Sequence, residues 1–188
     1  MSDQDSLSSA LLVAMPQLQD PNFRRTVMLI VEHSGDGAFG LVLNRNVDLS
    51  AATLCASLDV LWCGNPSANI KWGGPVEPNT GWLLFNEGLT LDSDSPEVTH
   101  VRDGIYLARS LEILRTIAGA PPSDVSFFLG YAGWGPGQLE GEMTQGAWLV
   151  APSDPDVVFG VAPDAMWDHV VRGLGIDPAT LVPTQGVH

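Results

Sequence analysis

Basic residues are scarce in this chain. Eight lysines and arginines stand against 22 aspartates and glutamates, a formal net charge of −14, and Lys71 is the sole lysine. Nucleic-acid binding rests on Lys and Arg neutralising phosphates. The balance therefore argues against direct nucleic-acid contact and against an anionic membrane surface, and favours solubility. Bases gather only at Arg24, Arg25 and Arg45. Cysteine is nearly absent. Cys55 and Cys63 have neither the Cys-x-x-Cys nor a zinc spacing, so they read as two buried thiols of a reduced, cytoplasmic chain. No apolar run reaches the length of a membrane span. The first residues, Met-Ser-Asp-Gln-Asp-Ser, are acidic and polar, unlike a signal peptide.

What is present is a core-forming chain. Its 188 residues are 45% apolar, enough for one domain without a disulfide staple. Residues 1–9 read as a disordered leader, 10–178 as the domain and 179–188 as a frayed tail. Strands are predicted at Leu11–Met15, Thr26–His33, Phe39–Asn44, Ile70–Trp72, Gly81–Phe85, Val98–Val101, Ile105–Ala108, Val125–Tyr131 and Ala147–Val150. Thr26–His33 and its return strand are apolar on both faces and join through a turn at 34–37. Helices are predicted at Ala51–Leu58 behind a Ser50 cap, Ser110–Ala118, Pro136–Gln145 and Asp164–Leu174, with a helical turn at Asp154–Phe159. On the second of these, Leu111, Leu114 and Ala118 share the apolar face. Glu87–Glu97 reads as an acidic loop. Hairpins mixed with strand–helix–strand units predict an α+β fold with a mostly antiparallel sheet in a single domain.

The run from Leu129 to Glu140 holds four glycines, a proline and two aromatics between an apolar strand and a polar helix. It reads as a tight, exposed strand-to-helix turn. A phosphate loop would need Gly-x-x-x-x-Gly-Lys-Ser/Thr, and no lysine is here. A hydrolase elbow would place its nucleophile near Ala132, which has none. Either the glycines allow close packing with Trp134 in the core, or Tyr131, Trp134 and Gln138 line a pocket.

Three blocks together resemble the YqgE/AlgH family of small bacterial proteins. The first is Leu11–Arg45, with Asp20-Pro21-Asn22-Phe23, Glu32-His33, Gly37-Ala38-Phe39-Gly40-Leu41-Val42 and Asn44-Arg45. The second is Gly73-Gly74-Pro75-Val76 with Gly81-Trp82-Leu83-Leu84, and the third is Gly130–Glu140 with Trp148-Leu149. The resemblance implies a curved, barrel-like sheet flanked by helices. It also brings the transcriptional-regulator label that some members carry, for which these residues offer no basic helix. Asn86 stands where members usually have histidine and Asn46 where they usually have proline, so a role for that histidine does not transfer.

Several residues could carry chemistry. His33 could be a general base or metal ligand. Glu32 and His33 are adjacent on a strand, so they point apart unless a bulge re-aims one. A regular hairpin sets Glu32 opposite Gly40 and Met28 opposite Asn44. Arg45, beside Asn44, could fork onto a carboxylate or phosphate, or pair with Asp20 or Glu32. Asp92, Asp94 and Glu97 could hold a divalent cation but lack the EF-hand glycine and read as a solvated loop. Asp168 and His169 read as surface beside Trp167.

The sequence thus points to a non-catalytic, cytoplasmic binding or regulatory module, without metal or cofactor. Its pocket is expected between the 32–45 hairpin and the 130–140 turn, with Glu32, His33, Asn44, Arg45, Tyr131, Trp134 and Gln138 as binding residues for a small molecule or protein partner. The alternatives are an enzyme using Glu32 and His33 for acid–base chemistry, and a transcriptional regulator acting through a protein partner.

Overall fold

A computed structural model describes residues 6–18, 20–86 and 96–181. The fold is α+β, as predicted. Among the described residues the elements run β1 (Ala10–Ala14), β2 (Val27–Ser34), β3 (Gly37–Val42), β4 (Asn46–Ser50), α1 (Ala51–Ser57), β5 (Asn69–Trp72), β6 (Val76–Phe85), β7 (Val98–Arg102), β8 (Ile105–Ala108), α2 (Leu111–Gly119), β9 (Val125–Trp134), α3 (Gln138–Thr144), β10 (Trp148–Pro152), α4 (Pro155–Gly160) and α5 (Pro163–Gly173). A 3-10 turn follows at Pro178–Leu181. All strand pairs are antiparallel except β5 with β9. The chain divides into two compact units: Met1–Asn44 with Ala132–His188, and Arg45–Tyr131.

In the first unit the strand order is β10-β1-β2-β3, with residues 132–134 of β9 beside β3. Val27, Met28, Leu29 and Ile30 are all fully buried, as an apolar run with no polar face requires. Helix α5 begins with Pro163 and turns Met166, Trp167, Val170 and Val171 inward at helical spacing. The Trp167 indole donates to the Ala14 carbonyl at 2.9 Å, which satisfies its one polar atom. Residues 6–9, the described part of the expected leader, are tied to β2: Ser9 N–H donates to the Ile30 carbonyl at 2.8 Å.

In the second unit the order is β4-β5-β9-β6-β8-β7, with β9 contributing residues 125–131. The core gathers Cys55 of α1, Ile70 of β5, Phe85 of β6, Ile117 of α2 and Phe127 of β9. Ser50 caps α1 by accepting from Thr53 N–H at 3.1 Å, and Ser110 caps α2 by accepting from Ile113 N–H at 3.4 Å.

The structure corrects five expectations. Strand β4 was not foreseen, although Asn46-Val47-Asp48-Leu49-Ser50 alternates polar and apolar residues; Val47 and Leu49 pack against the core of the second unit, and the strand pairs with β5. β9 runs on to Trp134, so Gly130–Gly133 is strand and the turn is confined to 135–137. Its Gly130 has φ +75°, and a Cβ there would lie 2.3 Å from the Gly74 carbonyl oxygen; the glycine serves close backbone approach. The buried face of α2 is Ile113, Leu114, Ile117 and Ala118, while Leu111 is exposed. Cys55 is buried, but Cys63 is exposed. Last, the β2–β3 register carries a bulge. The acidic loop lies largely outside the described residues, including Asp92 and Asp94.

Candidate functional site

The register of the β2–β3 hairpin decides what the Glu32–His33 pair can do. Ile30 faces Gly40, but the next pairing is Glu32 with Phe39, so Val31 is the extra residue. The turn closes Ser34 on Gly37 and so sets Glu32 opposite Phe39 rather than Gly40; the bulge shifts the pairing by one more residue, and Met28 lies opposite Val42 rather than Asn44. Glu32 and His33 still occupy consecutive rungs and point to opposite faces. Glu32 is exposed, whereas the His33 side chain keeps only 6% of its surface.

Both nitrogens of the His33 ring are engaged. Nδ1 accepts from Leu7 N–H at 2.9 Å, which puts the proton on Nε2, and Nε2 donates to Glu140 Oε1 at 2.7 Å. The carboxylate partner of His33 is thus Glu140, at the start of α3. A backbone hydrogen bond and the His33 contact hold the Glu140 carboxyl below its ordinary range.

The same unit contains a second closed network. Trp134 and Trp148 both donate from Nε1 to Glu142 Oε2, at 3.0 and 2.8 Å. Gln138 Nε2 donates to Glu142 Oε1 at 3.3 Å, while Gln138 Oε1 accepts from Gly135 N–H at 3.0 Å and pins the turn before α3. The two indoles meet edge to face at 6.3 Å. Asn44 accepts from Val27 N–H and donates to the Arg25 carbonyl, both at 2.9 Å. It thereby braces Arg25, whose φ of +54° is unusual for a residue with a side chain. The Arg25 guanidinium bonds Asp168 at 2.9 Å and lies 4.3 Å from the centre of the Trp167 ring.

The remaining two predicted residues belong to the second unit. Arg45 lies over the Trp72 ring at 5.5 Å, and Tyr131 meets Trp82 edge-on at 6.0 Å. Asn86 donates to Ser123 Oγ at 3.0 Å and Asp124 Oδ2 at 3.1 Å.

The second unit also holds a cleft of about 410 Å³ that the sequence did not reveal. Its origin is topological. β8 ends at Ala108, opposite Leu83, and the chain leaves through Arg109 and Ser110 into α2. Gly81 and Trp82 of β6 are thus left without a β8 partner. On its other edge β6 pairs Val76 with Tyr131 and next Gly81 with Leu129, so residues 77–80 arch out of the ladder, starting from Glu77 at φ +45°. Leu54 and Leu58 of α1 and Leu111 and Leu114 of α2 form the walls. Arg109 also borders the space, and its guanidinium lies 5.4 Å from the centre of the Trp82 ring, whose side chain points to the face of β6 opposite that of Gly81 and Leu83. Gly81 borders the space, and a Cβ built there would meet nothing within 4 Å. The available signals were the Gly81-Trp82 pair and a lone arginine between a strand and a helix; neither announces a cavity.

Two further groups are notable. Lys71 of β5 is partly buried with its Nζ 5.8 Å from the Phe128 ring centre, and burial lowers its pKa to about 8. Burial pushes the Cys55 thiol up, which keeps it protonated and unreactive. Among the described residues no three of His, Cys, Asp and Glu gather as metal ligands, and no helix is long and apolar enough to cross a membrane.

The chain is similar to proteins found across bacteria. The AlgH-like family profile matches residues 11–179. A UPF0301 protein of Myxococcus xanthus is 40% identical over 97% of this chain and 99% of its own. Another, from Ruegeria pomeroyi, is 38% identical over 96% of this chain and 98% of its own. Among solved structures, the solution structure of the AlgH protein from Pseudomonas aeruginosa matches with a TM-score of 0.77 and 34% identity, covering 100% of this chain and 99% of that one. A crystal structure from Corynebacterium diphtheriae matches with a TM-score of 0.71 and 26% identity, covering 93% of this chain and 88% of that one.

Proposed function

The chain belongs to the AlgH-like family, and from that premise we propose that it is a non-catalytic binding module whose ligand site is the cleft of the second unit. One observation carries this reading: an unfilled volume walled by leucines of α1 and α2 lies there, and concave, mostly apolar space is the usual make-up of a small-molecule site. Its volume of about 410 Å³ falls in the range such sites occupy.

The residues favoured in the sequence take other parts in this reading. His33, Asn44, Trp134 and Gln138 hold the first unit together, because their polar atoms bond to neighbouring protein groups. An enzyme built on Glu32 and His33 would need the two to converge, and their register sets them on opposite faces. Regulation then follows from ligand occupancy of the cleft. A cytoplasmic setting is supported by two cysteines that are free thiols.

A thermal-shift screen of metabolites against the wild-type chain and Gly81→Phe tests this. The phenylalanine enters the space beside residue 81 without meeting a neighbour at its Cβ. A ligand at 100 times its dissociation constant adds about 2.7 kcal/mol of stability. Ligands that stabilise the wild type and not Gly81→Phe support the proposal. Equal shifts in both proteins, or no shift with either, reject it and leave a protein partner as the route to regulation.

A further inference from the structure

The cleft lies on one face of its sheet, and the strand register says which. Leu83 of β6 pairs directly with Phe127 of β9, and Gly81 with Leu129. Leu83 and Phe127 belong to the core that α1 and α2 cover, and Leu129 packs against it, so these residues and Gly81 face the two helices. A Cβ built on Gly81 would meet nothing within 4 Å, which puts the empty space on that same helix side. Trp82 pairs with Phe128 on the reverse face, and the Arg109 guanidinium lies against the Trp82 ring. Among the described residues Arg109 is the one charged residue bordering the cleft, and its charge is turned away from it. The polar groups left at the rim are uncharged. Ser110 Oγ is taken up in capping α2, where it accepts from Ile113 N–H at 3.4 Å. Thr80 Oγ1 donates to Glu77 at 3.3 Å. Asn79, on the arch of β6, adds an exposed amide.

A charged group carried into such a space loses its water and meets no counter-charge, which is costly. An apolar group gains by the same transfer. The volume, about 410 Å³, lies toward the small end of ligand sites and suits a compact body. On the reading that the cleft is the binding site, we infer that its ligand is a compact, uncharged molecule, with its apolar body between the leucines of α1 and α2 over Gly81 and any hydroxyl or carbonyl left at the rim beside Asn79. Anions and cations of the same shape are excluded by what the lining lacks.

The experiment is a calorimetric titration at neutral pH with three probes that share one compact body: adamantanol, adamantane carboxylate and adamantylamine. Wild type, Gly81→Phe and Leu111→Trp are titrated with each, the probes kept within their solubility. Adamantanol should saturate with one site per chain, and both ions should bind more than about tenfold more weakly, because their charge would be buried without a partner. Gly81→Phe should abolish adamantanol binding while its circular dichroism stays that of the wild type. Leu111→Trp, at an exposed position on the wall, should weaken adamantanol by about tenfold, as displacing one or two buried methylenes would. If the carboxylate or the amine binds the wild type as tightly as the alcohol, and the two variants remove that binding too, the cleft is a binding site and the uncharged assignment is wrong. If adamantanol binding survives both variants unchanged, or no probe binds, the cleft itself fails as the site.

Discussion

The hairpin end of the first unit and the cleft of the second are opposites in how they use polar side chains. At the hairpin end, His33, Glu140, Gln138, Glu142 and two tryptophans bond to one another and to nearby main chain. At the cleft, leucines dominate, and Arg109 and Asn79 border open space. Residues with a reputation for chemistry thus build the closed region, and plain ones build the open region. A side chain whose hydrogen bonds are filled holds structure; one placed beside an empty volume can meet a ligand.

The contrast is sharpest at Glu142. Its replacement by alanine would leave the Trp134 and Trp148 indoles, both nearly buried, without their acceptor. The expected cost is about 2–4 kcal/mol by urea unfolding, because each orphaned donor carries its own desolvation penalty. Arg109→Gln at the cleft should change stability by less than about 0.5 kcal/mol, as exposed substitutions do. Comparable losses at the two positions would erase the distinction.

Lys71 supplies the next largest effect, with the opposite sign. Its pKa is lowered to about 8 because the folded chain buries the ammonium against Phe128. The unfolded chain binds that proton up to the ordinary lysine value, so between about pH 8 and 10.4 stability rises with pH. Lys71→Met should be more stable than wild type by about 1 kcal/mol at pH 7, a value reduced from the full shift because the group keeps partial solvent access. The gain should fade as pH rises through this window. A constant gain across pH would mean that methionine packs better, not that the charge is costly.

The smallest effect concerns Glu140. Its folded pKa is depressed, so its contribution is complete above the ordinary glutamate value and is lost as pH falls through the lowered one. Glu140→Gln should be less stable than wild type by a constant amount at neutral pH and converge with it as pH falls below about 4.3, which flattens the acid limb of the stability profile. If the steepness of the acid limb is unchanged, the His33–Glu140 contact is incidental.

Much of the fold is legible in the residues themselves. Val27–Ile30 reads as a strand buried on both faces, Ser50 and Ser110 read as helix caps, and the 98–108 hairpin is bounded by its Gly104 turn. What resists reading is set by partners distant in sequence. β9 passes Gly130 because its neighbours reach that far. The bulge at Val31 has no local mark, yet it brings Ile30 opposite Gly40, where the register running from the turn would set Leu41. For the site, the sequence shows that His33 is adjacent to Glu32 but not that its ring meets Glu140. A cavity is harder still, since it consists of the space that side chains leave; Gly81 reads as a strand residue, not as the edge of a void.

The division of the chain also bears on its synthesis. The second unit is a single stretch, Arg45–Tyr131, whereas the first is assembled from the beginning and the end of the sequence. β1 pairs with β10 from Ala10↔Pro152 to Ala14↔Trp148. On the ribosome, the cleft-bearing stretch emerges whole while β1 still waits for its outer neighbour. The nascent chain must therefore carry an apolar strand edge, Leu11-Leu12-Val13, until residues 148–152 have been made. Such an edge invites pairing with other chains, and it makes the opening residues, not the cleft, the segment most in need of a chaperone's cover.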